Sequence, residues 1–195
     1  MHYILASKSP RRREILENLG LKFEIVTADT DESADQTDPC ALVELLAERK
    51  ARAVWEHLLA EGRDLRDTVI IASDTVVAAE GEILGKPKDL ADARRMLSLL
   101  VGREHRVVSG VYLLGGGKCG TAHEVTEVLF DTPAPEALER YLQSDEPYDK
   151  AGAYAIQGHA APFIRGIRGC YFNVVGLPVH RLCCLYQSLF GENFL

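Results

Sequence analysis

The sequence predicts an α/β protein built on an elongated mixed sheet flanked by helices, part of it antiparallel. Three observations carry this reading. Strand and helix patterns alternate along the whole chain. The stretch Thr68 to Ser73, with Val69-Ile70-Ile71-Ala72 at its centre, is the apolar run of a strand covered on both faces. Finally, two pairs of β-rich stretches in the middle of the chain are each joined through glycines rather than through a helix, at Glu80-Gly81 and at Gly115-Gly116-Gly117.

In chain order, Tyr3 to Ala6 reads as a short strand and Pro10 to about Leu19 as a helix that Gly20 stops. Phe23 to Thr27 is a second strand, and Asp29 to Asp38 an acid-rich loop. Asp38 and Pro39 have the chemistry of an N-cap and a first helical position, opening a long helix to about Leu59. After the buried strand, Thr75 to Ala79 and Glu82 to Leu84 flank a Glu80-Gly81 hairpin turn. Asp89 caps a helix reaching about Leu100, which Gly102 ends. Arg106 to Leu114 and His123 to Asp131 are β-rich and joined through Gly115-Gly116-Gly117. Pro135 to Gln143 is a short helix, Phe163 to Val175 a last β pair around Gly166 to Gly169, and Pro178 to Phe190 a closing helix.

Composition narrows the class. At 195 residues, 47% hydrophobic and 26% charged, the chain is long enough to bury a real core in one domain or one core with two lobes. No basic region precedes the short apolar start, and no run approaches the roughly 20 apolar residues of a membrane helix, so a cytoplasmic protein is expected, with no membrane partner. The net charge of −7 disfavours broad attraction to nucleic acid. Cys40, Cys119, Cys170, Cys183 and Cys184 show no CxxC spacing and are expected to be reduced, mostly buried thiols. The six histidines form no HxH or HExxH pattern, so no histidine-built metal site is visible. GxxxxGK[ST] and GxSxG are absent, and no GxGxxG run opens a helix after a strand, which leaves kinase, GTPase, Rossmann and hydrolase-elbow readings without support.

The most informative local stretch is Ser7-Lys8-Ser9-Pro10-Arg11-Arg12-Arg13. Ser9 and Pro10 suit a helix start, yet three arginines fill the first turn, where the helix dipole repels cations by a few tenths of a kcal/mol, up to ~1. A bound phosphate would remove that conflict, using backbone N–H groups, serine hydroxyls and guanidinium forks; a solvated basic turn is the plainer alternative. Asp74 directly follows the buried strand, at the lip of the sheet, and could ligate a divalent metal, take a proton from water or simply cap a turn. Glu32, in the acidic loop, could add a second oxygen ligand. Lys50 lies on the long helix beside Val43, Leu46 and Val54, bordering an apolar stripe. Lys86 is held between Gly85 and Pro87. Gln157, before Gly158, offers both a donor and an acceptor, suited to a base edge or to a loop hydrogen bond.

Taken in order, Ala6 to Arg12, Glu32, Glu48 to Ala51, Ser73-Asp74-Thr75, Gly85-Lys86-Pro87, Asp149 to Tyr154 with Gln157-Gly158, and Val175 to Pro178 resemble the Maf family across nearly the whole chain. The resemblance implies a single two-lobed domain around a central cleft, similar to the inosine triphosphate pyrophosphatase architecture. It also implies hydrolysis of a nucleoside triphosphate between the α and β phosphates, with Mg²⁺ or Mn²⁺ as cofactor. Asp74 matches the catalytic or metal-coordinating aspartate and Glu32 a second acidic site residue. Ser7, Ser9, Arg11, Arg12, Lys50 and Lys86 match groups around the phosphates, and Arg12, Thr75 and Gln157 match positions linked to base selection. The segment ending Ile156-Gln157-Gly158 is similar to the branch acting on dTTP and UTP, and modified pyrimidine nucleotides such as 5-methyl-UTP or pseudo-UTP would fit the same reading. A branch favouring 7-methyl-GTP carries an acidic residue near the glutamine position. Lys8 and Ala155 depart from the family pattern, each standing where glycine is common. The resemblance further suggests a homodimer, and it leaves open a nucleotide-binding regulator of septum formation with little turnover.

Overall fold

The computed structural model describes all of residues 1–195 and bears out the mixed α/β expectation. Seven strands, β1 (His2–Leu5), β2 (Phe23–Ile25), β3 (Thr68–Ala79), β4 (Glu82–Leu84), β5 (Glu104–Gly115), β6 (Lys118–Phe130) and β7 (Ile164–Arg168), form one sheet. Their order is β2-β1-β3-β5-β6-β7, with β4 paired to β3. Six helices accompany it: α1 (Pro10–Asn18), α2 (Pro39–Ala60), α3 (Leu90–Leu100), α4 (Pro135–Leu142), α5 (Tyr171–Val175) and α6 (Val179–Phe190). The chain divides into two compact units, the first made of residues 1–74, 109–124 and 176–195, the second of residues 75–108 and 125–175.

In the first unit β1 runs parallel to both neighbours, with Ile4 opposite Glu24 and Ile70. Strand side chains alternate between faces, so Ile4, Ala6, Ile70 and Ala72 share one face. Against these residues pack Ala47, Ala51, Val54 and Leu58 of α2, burying a continuous apolar core. The helix opens as its sequence dictates: the Asp38 carboxylate accepts from the Cys40 and Ala41 amides at 3.3 and 3.2 Å, and Pro39 follows. Gly110 of β5 lies under this helix; a Cβ there would stand 2.6 Å from the Val43 carbonyl carbon, so only glycine permits so close an approach.

In the second unit β4 pairs antiparallel with β3 over Val77–Ala79, and β7 with β6. Ala93, Met96, Leu97 and Leu100 of α3 pack on Val77, Val107, Val128 and Phe130. Asp89 caps α3 by accepting from the Asp92 amide at 2.8 Å.

Several expectations are corrected. Strand β2 stops at Ile25 rather than Thr27. The β5–β6 hairpin is longer and tighter than expected, because Gly116 and Gly117 both adopt positive φ (57° and 71°) and close a two-residue turn. The expected last β pair is one strand, β7, followed by helix α5. Gly169 (φ 132°) turns the chain there, and the Asn173 amide donates to the Val107 carbonyl and to Thr126 Oγ1, both at 2.9 Å. The thiols are unbridged, but none is buried: Cys119 and Cys184 are exposed and the others half-buried. No helix is long and apolar enough to cross a membrane.

Candidate functional site

Strand β3 does not end before Asp74, as expected, but runs through it to Ala79, since Thr75-Val76-Val77 continues the β-branched run. Asp74 therefore shares the face of Ile70 and Ala72, the face covered by α2. On α2, Lys50 borders the buried residues Leu46, Ala47, Ala51 and Val54, so its side chain is led along that interface and meets the carboxylate. Lys50 Nζ donates to Asp74 Oδ1 at 2.5 Å and stands 2.9 Å from Glu32 Oε1. Asp74 is buried and Lys50 half-buried, whereas Glu32 keeps 59% of its side chain in solvent. The structure thus brings three of the expected residues together, from a strand, a helix and a loop.

The helix start adds the second group. Ser9 occupies the N-cap position with Pro10 at N1, but its side chain makes no cap hydrogen bond, contrary to the expectation of an ordinary cap. Ser7, buried, is used instead: its Oγ accepts from the Ser9 amide and from Arg12 Nη1, each at 3.2 Å. Arg12 Nε donates to the Gly176 carbonyl at 2.8 Å, and Ser73 Oγ donates to the same oxygen at 3.1 Å. Burial pulls the Arg12 guanidinium below its ordinary pKa, Asp74 opposes that, Arg11 reinforces it and Glu32 again opposes it. All three neighbours lie close enough for their charges to act on Arg12. Ser7, Arg11, Arg12, Glu32, Lys50 and Asp74 therefore belong to one constellation in the first unit, with Ser9 at the helix start beside it.

Asp74 and Glu32 supply hard carboxylate oxygens, and no third histidine, cysteine or acid joins them in a metal-binding group. Asp74 and Glu32, drawn together by one cation, are the residues that would hold a divalent ion such as Mg²⁺, whose charge would be set against phosphate oxygens.

The other expected residues lie in the second unit. Thr75 follows Asp74 in β3 and is half-buried. Lys86 and Gln157 are exposed. The segment Lys150 to Gly158 carrying Gln157 is tied to the loop carrying Lys86, because the Gly152 amide donates to the Gly85 carbonyl at 3.0 Å. Lys150 pairs with its neighbour Asp149.

Two functional contributors were not singled out from sequence. Arg49 donates through Nη1 to the carbonyls of Asp31 and Ser33 at 3.1 and 2.7 Å, pinning the loop that delivers Glu32. Its position beside Lys50, on a helix following an acidic loop, was the available signal. The Gly176 carbonyl that receives Arg12 and Ser73 had no signal, because a backbone oxygen leaves no mark in composition.

The family model described as Maf-like protein matches residues 2–189. A dTTP/UTP pyrophosphatase of Chromobacterium violaceum is 47% identical over 182 residues, 93% of this chain and 91% of that protein. Another of the same name from Pelotomaculum thermopropionicum is 46% identical over 195 residues, 98% of each chain. Among solved structures, the Staphylococcus aureus Ham1 protein aligns with 67% of this chain and 72% of its own at 14% identity and a TM-score of 0.48. With a family match and relatives that both extend over nearly all its residues, the chain belongs to the Maf-like protein family.

Proposed function

We propose that this chain hydrolyses dTTP and UTP between the α and β phosphates, releasing the nucleoside monophosphate and pyrophosphate. The observation that carries the reading is the Lys50 ammonium held between Asp74 and Glu32, with Arg12 beside them, in a chain whose 46–47% identical relatives are named dTTP/UTP pyrophosphatases. Water attacks the α phosphorus; its bond to the bridging oxygen breaks, and the electron pair leaves with pyrophosphate. Asp74 orients that water and accepts its proton, a role open to a rigidly held carboxylate. Arg12 and Lys50 stabilise charge spreading over the phosphate oxygens, and the start of α1 receives one phosphate on its amides. A divalent cation, Mg²⁺ or Mn²⁺, held by Asp74 and Glu32, would neutralise charge on the departing pyrophosphate.

In the second unit, Lys86 is assigned to phosphate charge, and Thr75 and Gln157 to the base. A side-chain amide can give a donor and an acceptor side by side, matching the O4 and N3–H of uracil or thymine; cytosine reverses that pattern. Modified uracil rings that keep this edge are admitted on the same grounds.

The test is pyrophosphate release from dTTP, UTP, CTP, dATP, GTP and 7-methyl-GTP, each with and without Mg²⁺ or Mn²⁺. Metal-dependent release confined to dTTP and UTP is expected. Preference for 7-methyl-GTP would keep the reaction and overturn the base assignment. Tight binding without turnover across the panel would replace the enzyme with a nucleotide-binding regulator.

A further inference from the structure

His105, in β5 of the second unit, is 4% exposed and carries a ring nitrogen, Nδ1, with no hydrogen-bond partner. Its Nε2 meets the hydroxyl of the buried Tyr154 at 2.6 Å, and the two rings stand edge to face with centroids 5.3 Å apart. A neutral imidazole has one N–H and one lone pair, so with Nδ1 unpartnered one of them stays unused whichever tautomer is present. Such a group weakens a core; a leucine facing a phenylalanine would serve packing better. Stability therefore does not account for the pair.

Its position does. Tyr154 follows two residues in the left-handed region, Gly152 (φ 66°) and Ala153 (φ 62°). Gly152 is confined by Val77, whose Cγ2 would lie 2.9 Å from any Cβ, and Ala153 holds a conformation that disfavours a residue with a Cβ. Side chains and backbone from several elements hold this kink. The Gly152 amide donates to the Gly85 carbonyl, and the Tyr141 hydroxyl donates to the Ala153 carbonyl at 3.1 Å. Downstream, the Glu146 carboxylate accepts from the His159 amide at 2.7 Å. Lys86 directly follows Gly85, and Gln157 lies between Tyr154 and His159. The kink thus joins the backbone that carries Lys86 to the backbone that carries Gln157.

We propose that His105 and Tyr154 are positioning residues: their buried hydrogen bond locks the Gly152-Ala153 kink and so fixes Gln157 and Lys86 as one rigid reader of the nucleotide. The assignment of Gln157 and Lys86 to the nucleotide rests on the function proposed above; the lock itself does not. His105 stays uncharged at neutral pH because burial pushes its pKa down to about 4, so the hydrogen bond is one between neutral groups across the working range. The lock is therefore steady rather than pH-gated near neutrality.

The test uses the full chain with His105→Leu and Tyr154→Phe combined, which removes both polar partners and leaves no group stranded. Amide hydrogen exchange at Gly152 and steady-state kinetics on UTP and CTP are measured beside the melting temperature. Melting close to that of the parent chain is expected, with Gly152 exchange about tenfold faster and the UTP-over-CTP ratio of kcat/KM reduced about tenfold. His105→Gln, which can still hydrogen-bond Tyr154, should recover much of both. Unchanged Gly152 protection together with an unchanged ratio would overturn the proposal and leave the pair as core filling. Should the parent chain release no pyrophosphate from any triphosphate, the function reading fails and the exchange result alone decides the lock: faster exchange supports it and unchanged exchange overturns it.

Discussion

Replacing Asp74 with asparagine separates catalysis from stability more cleanly than any other single change. The side chain keeps its shape and an oxygen that can still accept from Lys50 Nζ, now 2.5 Å from Oδ1. Only the negative charge goes. At an effective dielectric of about 20, that charge attracts the ammonium by roughly 7 kcal/mol in gross terms. Desolvating a buried carboxylate and ammonium offsets several kcal/mol of this for each ion, and Lys50 retains Glu32 at 2.9 Å. The net loss of stability should therefore stay below about 2 kcal/mol, a fall in melting temperature of no more than roughly 8 °C for a chain of this size. Catalysis loses much more. A carboxylate that accepts a proton in the transition state is worth about 10² to 10⁴ in rate, or roughly 3 to 5 kcal/mol. Pyrophosphate release from dTTP, at saturating and at low substrate, together with thermal melting, measures both. Full turnover in Asp74→Asn would refute the catalytic assignment. Melting that collapses in step with activity would make Asp74 a structural residue instead.

Three further outcomes are expected. Lys50→Met strands the buried Asp74 carboxylate while the exposed Glu32 swings into water, so it should cost about 2 to 3 kcal/mol by thermal melting. Adding Asp74→Asn should restore part of that loss, and strictly additive losses would contradict the pairing. For pH, folded His105 takes its proton only near pH 4, whereas the unfolded chain takes it near 6.5, so the unfolded state binds more protons in between. Stability from this group is full above 6.5 and declines as the pH falls toward 4, by roughly 3 kcal/mol. The His105→Leu/Tyr154→Phe chain should lose correspondingly less between pH 7 and pH 4, and equal losses would contradict it. Gly110→Ala would drive a methyl group into the backbone of α2, 2.6 Å from Val43, and should cost about 2 to 3 kcal/mol. It should also raise the KM for UTP, because α2 carries Lys50; a parental melting temperature would show that the helix gives way freely.

Much of this fold is legible in the sequence because local chemistry and tertiary structure agree. Asp38-Pro39 starts α2, Asp89 caps α3, and the apolar centre of β3 is buried on both faces. Agreement fails where a polar residue interrupts a strand. Asp74 looks like a terminator, yet β3 passes through it because Lys50 makes the buried charge tolerable, and that partner comes from 24 positions upstream. The last β pair fails for a related reason. Tyr171-Phe172-Asn173-Val174-Val175 has strand-like composition, but Asn173 finds its partners on Val107 and Thr126, contacts that composition does not encode. At the site, charged side chains in recognisable order were legible, whereas Arg49 on two loop carbonyls and Arg12 on Gly176 depend on backbone groups that the folded chain alone brings into reach.

The charges of the site divide its labour. In the first unit Arg12 and Lys50 face Asp74 and Glu32, two positive groups against two negative ones, so this set exerts little net pull on a triphosphate. Beside the divalent cation and Lys86 of the proposed function, the exposed Lys8 and Arg13 with the half-buried Arg11 at the start of α1 would add the net attraction. An incoming anion at the helix start, as proposed above, would account both for arginines where the dipole of α1 disfavours them and for a Ser9 side chain that makes no cap hydrogen bond. Exposed cations are screened by salt, and the half-buried Arg12 and Lys50, set among their partners, less so. Salt should therefore weaken the capture of substrate, read as a rising KM, while leaving saturated turnover largely unchanged. An unchanged KM as salt is raised would refute a collecting role for the exposed turn.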